Sequence, residues 1–179
     1  MPRFLSLAAL ALALCLPSVA AASHIPGRPC DGCASHRHWP KIRGVVAVAK
    51  GDAARVRGTR RSDELLGQHG SDTLLGRSGS DVLWGDARPS GQPAHQRDRI
   101  FGGRGNDFIY GSHGYNRIDG GPGNDAISVH FGRGTVDCGP GRDIYHVAKS
   151  RRHRYKVRNC ERVDYRSERQ RGGGLRPLR

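Results

Sequence analysis

The chain has 179 residues, 26 of them glycine, with 30 lysines and arginines against 16 acidic residues and a formal net charge of +14. A length in this range allows one modest domain with short extensions. Aromatic residues make up only 6%, which with so much glycine argues against a large apolar core.

Met1-Pro-Arg3, the apolar run Phe4 to Leu16 and the small residues of Pro17-Ser-Val-Ala20-Ala-Ala22 read as a secretory signal peptide over residues 1–22. The start is basic, the apolar run is too short to span a bilayer, and small residues suit cleavage after Ala20 or Ala22. The expected location is therefore secreted, with no transmembrane segment once the leader is removed and a charge of +13 on the mature chain, since only Arg3 leaves with it. Cys15 goes with the leader; bulky Leu14 before it disfavours a lipoprotein site. Cys30, Cys33, Cys138 and Cys160 remain. An even number in an exported chain favours disulfides, in any of three pairings. Cys138 with Cys160 is favoured, stapling the tail to the repeats, together with a short Cys30 to Cys33 loop; a zinc site at Cys30, Cys33, His36 and His38 is the alternative.

Residues 23–57 form the next stretch. Positions 23 to 43 are rich in Pro, His and Arg and read as a lead-in, while Gly44-Val-Val-Ala-Val-Ala49 reads as a strand that caps a stacked structure.

From residue 58 to 146 the sequence repeats every nine positions. Gly67-Gln-His-Gly70-Ser-Asp72-Thr-Leu74-Leu is followed by Gly76-Arg-Ser-Gly79-Ser-Asp81-Val-Leu83-Trp, and the template returns at Gly102 and at Gly120. With Gly67 in slot one, slot eight holds Leu65, Leu74, Leu83, Ile100, Ile109, Ile118, Ile127, Val136 and Tyr145. Slot six holds Asp63, Asp72, Asp81, Asp98, Asp107, Asn116, Asp125, Gly134 and Asp143, so carboxylates recur in one place. Val56 shares the slot-eight phase, which starts the stack before its glycines show. Short apolar segments between glycine turns predict a stack of short parallel strands, each sending one side chain inward. One inward residue in nine is a thin core. Repeated carboxylates and turn carbonyls are hard oxygen ligands, suited to calcium, whose binding would supply folding free energy.

The rhythm breaks after Gly85. Gly85 to Gly102 is seventeen residues where two units need eighteen, and the turn-rich stretch near 86–97 reads as a loop bulging from one edge, with Trp84 beside it expected to be partly exposed. The phase recovers at Asp98. By this count Asp72 faces Ser90, a poor partner.

The pattern resembles the haemolysin-type, repeats-in-toxin (RTX) nonapeptide Gly-Gly-X-Gly-X-Asp-X-U-X, with U a large apolar residue; the whole chain is also similar to small secreted calcium-binding repeat proteins of high-GC actinobacteria. The resemblance implies an all-β parallel β-roll, a β-solenoid with two nonapeptides per coil and caps at each end. It implies Ca2+ between turns eighteen residues apart, held by slot-six side chains and turn carbonyls. On this chain those are Asp63 with Asp81, Asp98 with Asn116, Asp107 with Asp125 and Asp125 with Asp143, plus Asp72, and the turns at Gly105, Gly123 and Gly141. Three departures stand out. Arg61 replaces a slot-four glycine, Gly134 removes a carboxylate, and Gln68, Arg77 and Ser112 fill slot two, which requires negative φ there.

His69, His95 and His113 share slot three and read as solvated turn residues. Residues 147–179 form a basic C-terminal cap and tail: Tyr155-Lys-Val-Arg158 and Arg162-Val-Asp-Tyr165 alternate as strands do, and Ser167 onward is rich in Arg and Gly. Twelve Lys or Arg face three acids there. Two readings stay open: affinity for polyanionic envelope polymers, or a composition that serves solubility. Specific nucleic acid is not an expected partner, for stacking aromatics are scarce. No HExxH, GxSxG or GxxxxGK[ST] occurs, so the chain does not read as an enzyme; a small hydrolase using a carboxylate and a histidine near His95 is the remote alternative. The expectation is a monomeric, secreted, calcium-ordered binding module.

Overall fold

A computed structural model describes residues 38–86 and 93–166. The leader, Cys30, Cys33, His36 and the tail from Ser167 lie outside the described residues. Thirteen strands run in chain order: β1 Val46–Val48, β2 Arg55–Arg57, β3 Glu64–Leu66, β4 Thr73–Ser78, β5 Val82–Trp84, β6 Arg97–Arg104, β7 Phe108–Tyr110, β8 Tyr115–Asp119, β9 Ala126–Val129, β10 Arg133–Asp137, β11 Ile144–Val147, β12 Tyr155–Arg158 and β13 Arg162–Asp164, with a 3₁₀ segment at Lys149–Arg154. The odd strands up to β13 make a seven-stranded sheet, and β12, β10, β8, β6, β4 and β2 a six-stranded one. Every pairing is parallel. The molecule is a β-solenoid, each coil giving one strand to each sheet. β1 and β2 before residue 58, and β12 and β13 after 146, continue the sheets.

Alternation along each strand sends slot eight inward. Leu65, Leu74, Leu83, Ile100, Ile109 and Ile127 are fully buried between the sheets, and Tyr145 nearly so. At the open ends the same slot is half-covered: Val163 is 42% exposed. The disulfide between Cys138 and Cys160 ties the last coils together. Closing a loop of that size contributes about 3 kcal/mol in the chain-entropy account.

The break in the rhythm has a different size from the one counted in the sequence. Leu74 pairs with Ile100 and Trp84 with Tyr110, and slot-six residues across this coil are 26 apart instead of 18. Gly85 to Phe101 is thus one unit carrying an eight-residue insertion, not two units one residue short. Asp72 consequently meets Asp98, not Ser90. The ends of the insertion are tied through buried Asp86, which accepts from Gln96 Nε2 and from the His113 N–H at 2.8 Å and lies 2.7 Å from His113 Nδ1. His113 in turn stacks on Phe131, while His95 is exposed.

The two outer faces differ. That of the seven-stranded sheet is apolar: Val82, Phe108, Ala126 and Ile144 are buried, with Trp39, Ile42 and Trp84 packed against them. Trp84 stacks on Tyr110 at 3.9 Å, and Trp39 Nε1 donates to the Tyr110 hydroxyl at 3.0 Å. The outer face of the six-stranded sheet is open and basic. Among the described residues no helix is long and apolar enough to cross a membrane.

One slot-two residue departs from the requirement set by its side chain. Gly103, Gly121 and Gly139 have φ of 107°, 93° and 96°, and Arg77, in the same slot, has φ of 83°. Gln68 and Ser112 avoid that region, but Arg77 does not, because β4 continues through it in register with Gly103. A left-handed non-glycine residue costs about 1–3 kcal/mol. Arg77→Gly is expected to stabilise the roll by about 1 kcal/mol after the entropy of a freer unfolded chain is subtracted. Thermal unfolding should show Tm rising by about 2–4 °C, and the matched Gln68→Gly change should lower it.

Candidate metal centre

Two nonapeptides per coil sort the slot-six residues onto two edges of the roll. One edge carries Asp63, Asp81, Asp107, Asp125 and Asp143, leading into the strands of the seven-stranded sheet. The other carries Asp72, Asp98, Asn116 and Gly134. On the first edge the carboxylates form a ladder. The backbone N–H of Asp63 donates to Asp81 Oδ1 at 2.7 Å, Asp81 to Asp107 at 2.8 Å, Asp107 to Asp125 at 2.8 Å and Asp125 to Asp143 at 2.7 Å. Glu161 ends the ladder, accepting from Asp143 N at 2.6 Å. The nonapeptide phase hides this residue, since its unit lacks the glycines.

Four of these carboxylates use only one oxygen in the ladder. Oδ2 of Asp81, Asp107, Asp125 and Asp143 is buried with no hydrogen-bond donor among the described residues. A buried carboxylate oxygen without a partner is costly. Beside Asp81, Asp107 and Asp125 the space is a cradle that only glycine leaves open, whereas Cys138 holds the same slot before Asp143. A Cβ on Gly76, Gly102 or Gly120 would collide with the Oδ2 of Asp81, Asp107 or Asp125 and with the carbonyl of Gly102, Gly120 or Cys138 of the following coil. An open carboxylate oxygen facing a carbonyl in a space without side chains is a donor set for a hard cation. No three His, Cys, Asp or Glu side chains converge among the described residues, so a cation here would draw on backbone carbonyls as well as carboxylates. The turns at Gly105, Gly123 and Gly141 stack next to this cradle, each too close to the preceding slot-four carbonyl to accept a Cβ.

The remaining slot-six residues are satisfied by the protein itself. Asp63 Oδ2 accepts from the Thr59 N–H at 2.5 Å and from its hydroxyl. Asp72 Oδ2 accepts from Gln68 N at 3.1 Å. Asn116 Oδ1 accepts from Ser112 N at 2.9 Å, the Ser112 hydroxyl bonds Asp98, and Asn116 Nδ2 donates to the Tyr155 hydroxyl at 2.9 Å. Thr59, Gln68 and Ser112 all occupy slot two. At Thr59, Gln68 and Ser112, which avoid positive φ, the slot-two N–H turns onto the slot-six oxygen four residues on. Where slot two has positive φ, at Arg77, Gly103, Gly121 and Gly139, the carboxylates at 81, 107, 125 and 143 keep an open oxygen. Backbone conformation at one position decides which turns are open.

Burial pushes the open carboxyls upward, and their ladder neighbours push them further: Asp81 to about 7, Asp107 to about 9, Asp125 to about 8 and Asp143 to about 6. Asp98 rises to about 7 for the same first cause, with the Ser112 hydroxyl holding it down. Without a cation the folded ladder thus prefers protons, whereas the unfolded carboxyls titrate near 3.9. The folded state then binds more protons between about pH 4 and 9, so metal-free stability is greatest below that window and falls as pH rises through it. Urea midpoints in chelator should be higher at pH 5 than at pH 8, and saturating calcium should reverse the order, because protons compete with the ion. A metal-free midpoint that climbs with pH would contradict this.

Residues 53–87 and 96–127 match the family model described as the RTX calcium-binding nonapeptide repeat, in four copies. No curated protein and no solved structure gives a significant match. The coils over 53–87 and 96–127 are RTX calcium-binding nonapeptide repeats.

Proposed function

We propose that the protein is a secreted module whose roll is ordered by calcium along one edge, at Asp81, Asp107, Asp125 and Asp143 with the slot-one carbonyls beside them. The observation that carries this reading is the row of buried, donor-less Oδ2 atoms, of which those of Asp81, Asp107 and Asp125 face a carbonyl across a glycine cradle. A divalent ion there supplies the positive charge the ladder lacks and joins one coil to the next. Asp63, Asp72, Asp98 and Asn116 hold their turns by hydrogen bonds from slot two and serve as ion-independent joints. The role is binding and structural. The leader sequence and the disulfide both suit export, to a compartment where sites of about 10⁻⁴–10⁻³ M affinity fill.

Folding in such a stack is cooperative between neighbours, so filling the edge and closing the roll are one event. Circular dichroism of the mature chain is expected to show strand content rising on calcium addition and falling in EGTA. Asp107→Ala and Asp125→Ala should shift the calcium midpoint upward by about tenfold or more. Asp72→Ala and Asp98→Ala should lower stability by about 1–3 kcal/mol with and without calcium alike. A chain equally ordered and heat-resistant in chelator, with no ion found by elemental analysis, would refute the reading.

A further inference from the structure

The open face of the six-stranded sheet carries a pattern that the calcium edge does not use. Slots five, seven and nine point outward there. Along slot seven the registered column is Arg55, Thr73, Arg99, Arg117, Thr135 and Lys156, one residue per strand. Beside it in slot five, Arg97, Tyr115 and Arg133 are aligned. The four basic residues of the slot-seven column are exposed, as are Arg97 and Arg133, and Tyr115 is 40% exposed between them. Parallel strands place successive members of a column about 4.8 Å apart, so cations and hydroxyls run in a straight line down the axis of the roll. Towards its C-terminal end the face sinks into a groove of about 460 Å³, lined by Tyr115 and Arg117, Asp119 and Asp137, and Thr135 and Lys156.

We propose that this face binds a linear carboxylated polysaccharide lying along the roll axis. The column of arginines, with Lys156 at its end, matches carboxylates repeated along a stiff polymer, each able to take a charge-assisted bond. The exposed Tyr115 ring, flanked by two arginines, offers a flat apolar surface to a sugar ring. Slot nine adds what a uniformly anionic ligand would not want. Asp119 and Asp137 face each other there in register, and Arg158 reaches Asp137 at 2.6 Å. Carboxylates on the binding face accept hydrogen bonds from sugar hydroxyls, donors that a DNA phosphodiester backbone lacks, which favours a polyol acid over DNA. None of these face residues belongs to the basic tail from Ser167, and the proposal depends on the calcium-ordered roll only for the fold that presents the face.

The test measures binding of the full mature chain, in calcium, to hyaluronate, with neutral dextran and single-stranded DNA as comparison ligands. Hyaluronate should bind and dextran should not. The double change Arg99→Gln with Arg117→Gln should weaken hyaluronate binding by about tenfold or more, and Tyr115→Ala severalfold. Circular dichroism and the calcium titration of both variants should match the parent, since these side chains are exposed. Removing residues 167–179 should change the affinity by less than about twofold. Unchanged hyaluronate affinity in both face variants, loss of binding on tail removal alone, DNA binding of equal strength and equal sensitivity, or no hyaluronate binding by the ordered chain would each overturn the proposal. The roll reading is scored separately in the same samples: a flat calcium titration sinks it without touching the binding result.

Discussion

The fold depends on what happens at the second oxygen of the slot-six aspartate. The first oxygen takes the backbone N–H of the equivalent residue one coil earlier, which fixes the rise of the solenoid at one strand spacing. The second either receives a donor from a slot-two residue, of its own turn or, at Asp98, of the next coil, or stays open. That choice rests on the sign of φ at slot two. The same nine-residue template therefore makes two kinds of joint, one closed by hydrogen bonds and one that needs a cation. All the open joints lie on one edge, where only Asp63 at its start is closed, so the roll has a stable side and a largely conditional side.

Much of this was legible in the sequence. Slot eight could be read as core because an inward residue must recur once per strand, and slot six because carboxylates do not gather in phase by accident. The parallel sheets follow from glycine turns too short for anything but continued winding. Other features left no mark on residue identity. Arg77 does not look like a residue with positive φ; only its register against Gly103 puts it there. Gln68 and Ser112 read as lapses from the glycine consensus, although they are the donors that close their turns. Counting by nines gives the wrong size for the insertion because it cannot separate two shortened units from one enlarged unit; strand pairing can. The aromatic cover on the seven-stranded sheet joins Trp39 to Tyr110, 71 residues away, a distance that no local pattern spans.

The two sheets share an interior and divide the exterior. One outer face is buried beneath Trp39, Ile42 and the Trp84–Tyr110 stack, which adds a second apolar layer to a thin core. The other keeps its slot-seven column in water. A solenoid is suited to this division, because alternation lets the outward slots vary freely while slots six and eight hold the coil.

Cys138 and Cys160 give the stack a direction. In a column whose members touch only their neighbours, disorder enters at the termini, and here one terminus is bolted shut. Unravelling should then begin near β1 and travel towards the staple, so the coils that hold the open carboxylates at 107, 125 and 143 are the last to come apart. The molecule would behave less like a spring that loosens everywhere than like a zipper sewn closed at one end.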